Sequence, residues 1–128
     1  MKKSFRLIIA CLQLAMGSSA AFAETLDQLA GKTHYHGIAF ARSGSAELLL
    51  ASHHGLFALD KNGEATRVSP VHDYMGFSPD PTDPLSFYAS GHPSGGGNSG
   101  FLKSSDGGAT WKQLSPGVRG PVDFIRWT

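Results

Sequence analysis

Short runs of β-branched, aromatic and leucine residues recur along this chain, and the order of the runs repeats. Gly37-Ile38-Ala39-Phe40 is answered by Gly76-Phe77-Ser78-Pro79, Leu48-Leu49-Leu50-Ala51-Ser52 by Ser86-Phe87-Tyr88-Ala89-Ser90, Gly55-Leu56-Phe57 by Gly100-Phe101-Leu102, and Arg67-Val68-Ser69-Pro70 by Gln113-Leu114-Ser115-Pro116, at offsets of 38 to 46 residues. Clusters of Gly, Pro, Asp, Asn and Ser punctuate the runs, and no convincing apolar stripe of helical period follows the first 23 residues. The chain therefore reads as all-β.

A repeat of this length carrying four short strands is the size of one propeller blade, which takes roughly 40–50 residues. Two four-stranded blades of a β-propeller are expected, with strands over 37–41, 47–52, 55–60 and 65–69 in the first and over 75–78, 85–90, 100–104 and 110–114 in the second. Asn62-Gly63 suits a tight hairpin that needs positive φ, and Asp80-Pro81-Thr82-Asp83-Pro84 reads as a bend. The expected division is a signal helix over 1–23, a linker over 24–33, blades over 34–71 and 72–117, and the start of a third blade over 118–128. Two blades leave a ring incomplete, because closure takes typically four to eight. The chain is accordingly expected to be a truncated or frameshifted N-terminal part whose open sheet edges favour self-association.

The first 23 residues have Lys2, Lys3 and Arg6 ahead of an apolar run and end on Ala21-Phe22-Ala23. That is the layout of a secretory signal cleaved after Ala23, and it predicts a periplasmic or secreted product. Cys11, the sole cysteine, leaves with the signal, so no disulfide is expected in an exported chain that could have used one. Cleavage removes three of the eleven basic residues and none of the ten acidic ones, leaving a formal charge of −2 with His neutral; nucleic acid is thereby excluded as an expected partner. No later stretch is long and apolar enough for a membrane-spanning helix.

The most specific motif is Ser104-Ser105-Asp106-Gly107-Gly108-Ala109-Thr110-Trp111, which fits S-x-D-x-G-x-T-W at every fixed position. Its chemistry is structural. Asp106 accepts bonds from the N–H groups of its own turn, Ser104 and Thr110 stand beside it, Gly108 permits a left-handed backbone, and Trp111 offers an apolar face for packing. Asp60-Lys61-Asn62-Gly63 reads as a decayed copy of the same turn.

This Asp-box resembles the repeat signature of bacterial sialidases. Together with His36-Gly37-Ile38-Ala39-Phe40, Ser52-His53-His54-Gly55-Leu56-Phe57, Met75-Gly76-Phe77 and Ser90-Gly91-His92-Pro93, it makes the chain similar to exported bacterial sialidase-like (BNR-repeat) propellers, a group labelled glycosyl hydrolase by homology. The resemblance spans about 34–124 and implies a closed ring and a small polar or carbohydrate ligand. For a sialidase it further implies a tyrosine nucleophile, an acid/base aspartate and an arginine cluster for the substrate carboxylate. Only Arg42, Arg67, Arg119 and Arg126 follow the signal, and their positions do not assemble a cluster. No catalytic residue is expected, and this chain alone should be inactive as a hydrolase. Neither a G-x-S-x-G elbow nor a phosphate-binding loop is present.

The histidines suggest a second reading. In an up-and-down sheet, connections into each first strand and from second to third strand emerge at one end, and all six histidines fall there. His34 and His36 precede or open the first strand, His53 and His54 form the next turn, and His72 and His92 occupy the matching places in the second unit, with Asp73 and Met75 beside them. Imidazole nitrogen suits copper or zinc, and Met75 sulfur would favour Cu(I). His34, His36, His53, His54, His92 and Met75 are thus the candidate ligands of a histidine-rich metal-binding module, set against their use as ordinary polar loop groups.

Overall fold

A computed structural model of the chain describes residues 23–117 and residue 120. The predicted signal, apart from Ala23, and the predicted start of a third unit, apart from Gly120, lie outside the described residues. Two antiparallel sheets make the fold. The first contains β1 (Ala23–Thr25), β2 (Tyr35–Phe40), β3 (Ala46–Ser52), β4 (Gly55–Asp60) and β5 (Glu64–Arg67), in the spatial order β1-β5-β4-β3-β2. The second runs β6 (His72–Pro79), β7 (Phe87–Pro93), β8 (Phe101–Ser104) and β9 (Lys112–Ser115) in sequence order. The described residues form neither a closed barrel nor a ring.

The first sheet has five strands where four were expected, because residues 24–33 are not a linker. Ala23, Glu24 and Thr25 pair with Thr66, Ala65 and Glu64, and α1 (Leu26–Ala30) follows at once. Thr25 accepts from Gln28 N while the Gln28 side chain accepts from Thr25 N, a reciprocal cap that starts so short a helix. Leu29, its one buried residue, sits on Leu50, Phe57, Leu59 and Ala65. A helix of five residues is too short to show a periodic stripe in sequence.

Strand register fixes how the two sheets correspond. Ile38 pairs with Leu50, Leu50 with Phe57 and Phe57 with Arg67; Phe77 pairs with Ala89, Ala89 with Leu102 and Leu102 with Gln113. Leu48 therefore answers to Phe87, and His53 to His92. This corrects the sequence-level match of Leu48 to Ser86 by one residue, a step that exchanges the two faces of a strand. The Ala-Ser pair present in both segments had suggested the wrong register.

β2 and β6 each carry a bulge, between Tyr35 and Gly37 and between Tyr74 and Gly76. The additional residue lets Tyr74 and Phe77, three apart, serve the same core, which strict alternation would forbid. That core lies between the sheets: Leu49, Ala51 and Leu56 from the first meet Tyr74, Phe87, Ala89 and Leu102 from the second, with Trp111 against them. Leu56 is fully buried, worth about 1.5–3 kcal/mol for a side chain of its size. The close approach of β2 to β6 is possible because position 37 is glycine; a Cβ there would lie 3.0 Å from the Phe77 Cβ.

Residues 104–111 form the expected turn between β8 and β9. Ser104 Oγ donates to Asp106 Oδ1 (2.8 Å) and accepts from Gly108 N (2.9 Å), Asp106 Oδ1 accepts from Thr110 N (2.9 Å), and Trp111 Nε1 donates to Gly108 O (2.8 Å). In the first sheet Asp60 Oδ1 accepts from Asn62 N and Glu64 N, so the Asp60 turn reuses the same device without the serine or the tryptophan.

Candidate metal centre

The joint between the sheets ends in a cluster that neither sheet makes alone. His36 is the bulged residue of β2, His53 lies in the β3–β4 turn, and Asp73 is the second residue of β6. Ser52 builds that turn locally: its hydroxyl donates to Gly55 O and accepts from His54 N, which holds the two-residue connection carrying His53. Asp73 is positioned by its backbone. It pairs with His92, and Gly91 beside it has φ +152, where an added Cβ would fall 1.8 Å from the Asp73 carbonyl oxygen. Only glycine permits that approach.

His36 Nε2 lies 3.3 Å from His53 Nδ1 and 3.1 Å from His53 Nε2. Asp73 Oδ1 is 2.9 Å from His53 Nδ1 and 4.0 Å from His36 Nε2. Ligand atoms bound at about 2.0–2.2 Å around a tetrahedral ion stand about 3.3–3.6 Å apart, so this triangle is already near the size a transition metal requires. One donor atom from each residue lies within 4.8 Å of the other two. Asp73 Oδ1 is buried and makes no hydrogen bond; its near neighbour is His53 Nδ1 at 2.9 Å, an ion pair when that imidazole is protonated. A buried carboxylate oxygen left in that condition is costly unless a cation satisfies it. The three side chains are 19 to 37% exposed, open enough for an ion to enter.

The other expected histidine ligands fall outside this group of three. The His34 ring is 5.7 Å from that of His53, on the wall of a hollow of about 270 Å³ shared by Ala30, Gly31, Lys32, Thr33, His34 and His53. His54 is exposed at the tip of its turn. His92 donates from Nδ1 to Gly97 O at 2.8 Å, and Met75, half-buried, occupies the bulge of β6 that corresponds to His36. Asp73 stood on the histidine-bearing end in the sequence but was not counted as a ligand, because nothing in the spacing shows that β6 reaches across to His53. His72 sits apart, its Nε2 2.9 Å from Ser99 Oγ. Burial holds its pKa below the ordinary imidazole value, with the Asp73 carboxylate opposing.

A second hollow, of about 430 Å³, lies between His72, Tyr74, Pro93, Asn98, Ser99, Trp111 and Gln113. Burial pushes the Tyr74 phenol up to about 12, so it packs as a neutral ring. Arg42 is committed elsewhere: its guanidinium donates to the carbonyls of Asp80, Pro81 and Asp83. Arg67 lies beside Gly55, and Arg119 and Arg126 fall outside the described residues. Among those residues no arginine cluster faces Tyr35 or Tyr74, and no helix is long and apolar enough to cross a membrane.

Comparison of the chain with protein-family models, with curated proteins and with solved structures gives no match in any of the three.

Proposed function

We propose that the two sheets are consecutive blades of an exported, sialidase-like β-propeller and that this chain binds a transition metal, zinc or copper, instead of hydrolysing glycosides. His36 and His53 supply imidazole nitrogen and Asp73 supplies oxygen, a three-donor set that suits either ion. The observation that carries the metal reading is the Asp73 Oδ1 atom: buried, without a hydrogen bond, and held against two imidazoles from the neighbouring sheet. The propeller reading rests on the repeated four-strand unit, the shared bulge and the Asp-box turn.

Calorimetric titration of the purified chain with Zn²⁺ and with Cu²⁺ tests this. One ion per chain is expected, lost in His36→Ala, His53→Ala and Asp73→Asn and kept in His54→Ala, with all four variants retaining the far-ultraviolet spectrum of the parent. Binding unchanged in the first three would refute the assignment. A His53 imidazolium paired with Asp73 is the competing arrangement; metal ligation instead needs the neutral imidazole. Release of fluorophore from a fluorogenic sialoside is expected to be absent, and its appearance would restore the hydrolase reading.

A further inference from the structure

Building on the metal centre proposed above, we infer that it keeps an open coordination position and takes a small monovalent anion there, with His34 hydrogen-bonded to that anion. Three observations lead to this. The described residues that converge supply three donors, whereas zinc and cupric ions take at least four ligands, and a three-residue set leaves a position for an exogenous one. His53, one of the three, also lines the open hollow of about 270 Å³ that it shares with residues 30–34. A water molecule occupies about 30 Å³ of liquid, so the hollow has room for an ion the size of azide, bicarbonate or acetate with solvent to spare.

Charge selects the class of ligand. A divalent ion held by two neutral imidazoles and one carboxylate keeps a net charge of +1, and a bound cation sets the sign of its surroundings. Lys32 adds little to this field, since its ammonium is paired with Glu24 at 2.8 Å. Thr33 also lines the wall but donates its hydroxyl to the His34 carbonyl oxygen at 3.3 Å; His34 is exposed, and its ring stands 5.7 Å from that of His53. An anion bound to the ion on the His53 side would be nearest to the His34 N–H.

Cobalt(II) loaded in place of zinc makes the test optical. Addition of cobalt to the purified chain should produce visible d–d bands that are lost in Asp73→Asn, and titration with sodium azide, then acetate, should shift those bands saturably. In His34→Ala cobalt should still bind, with azide affinity weakened about tenfold, the loss expected for one hydrogen bond to a charged group. Cobalt bands that do not respond to either anion overturn the open position and leave the metal centre standing. Equal azide affinity in the His34 variant overturns the role of that residue. Absence of any cobalt bands overturns the metal centre itself, and with it this inference.

Discussion

Gly37 of β2 faces Phe77 of β6 across the joint, at a separation that would leave only 3.0 Å between a Cβ on residue 37 and the Phe77 Cβ, with the Ala51 methyl at 3.5 Å. The packing of one sheet on the other is thereby set at a position adjacent to a proposed ligand. Gly37→Val should force the strands apart and destabilise the fold by about 1–3 kcal/mol, the usual cost of overpacking. Urea unfolding measures that cost. Zinc affinity should drop in the same variant, because His36 moves with β2 while Asp73 stays with β6. Undiminished affinity would mean that the joint and the centre are not coupled.

Metal should act on the whole fold. Its donors come from both sheets, so an ion that binds only the native arrangement adds stability by mass action, about 2.7 kcal/mol at a hundredfold excess over Kd. A rise of several degrees in Tm with zinc is expected for the parent chain, and none for Asp73→Asn.

Ser104 is buried and holds both ends of the Asp-box, donating to Asp106 and accepting from Gly108 N. Ser104→Ala leaves that buried N–H without its acceptor and should cost about 1–3 kcal/mol, read as a lowered urea midpoint. Metal binding should survive, since the turn lies at the opposite end of the sheet from the imidazoles.

Most of the architecture could be read from the chain because its cues are local. The strand at 55–60 was placed to the residue, and the Asp-box turn was anticipated in its chemistry. β6 proved longer than expected, reaching back to His72, because its first residues are polar and aromatic groups that a period-two pattern does not mark. Strand alternation put all six histidines at one end of the sheets, without saying that His36 and His53, 3.1 Å apart, would be the two that meet. The part played by Asp73 did not follow from it, since it depends on how two sheets lean together, which sequence spacing does not encode. For the same reason β1 and α1 were missed: one is three residues long, and its partners, Glu64 to Thr66, lie far along the chain.

Turn carboxylates govern behaviour in acid. Backbone and side-chain donors hold Asp60, Asp80 and Asp106 below the usual aspartate range, Asp106 at about 2, with the Thr110 hydroxyl its largest cause. Groups whose folded pKa is depressed contribute stability that is complete above the unfolded value, near 4, and is lost as pH falls through the folded one. Stability should therefore decline between about pH 4 and pH 2, and Asp106→Asn should flatten part of that decline in thermal melts. Tyr74 acts at the other extreme. Its phenol is raised to about 12 by burial, so it favours the fold below pH 10 and loses that contribution as pH climbs toward 12. Absorbance at the phenolate band should show one of the three tyrosines ionising only as the chain unfolds.

Tyr35 and Ile38 correspond by register to Tyr74 and Phe77, yet they are 36% and 68% exposed, and Phe40 is 80% exposed, where Tyr74 and Phe77 pack against a neighbouring sheet. An uncovered strip of this kind beside an open strand favours contact with a second copy. Sedimentation velocity should show concentration-dependent association of the parent chain, reduced in the double variant Ile38→Lys, Phe40→Lys. A monomer at every concentration would argue against it.

The extra residue set aside in β2, and again in β6, makes these strands tolerant of altered side chains but not of altered length. Deleting residue 36 or 75 would restore plain alternation and turn everything upstream half a rotation about the strand axis, carrying Tyr35 or Tyr74 away from its present face. Gaps at those two places in any related chain would thus mark a molecule that keeps the sheets but has lost the means to gather its imidazoles and carboxylate.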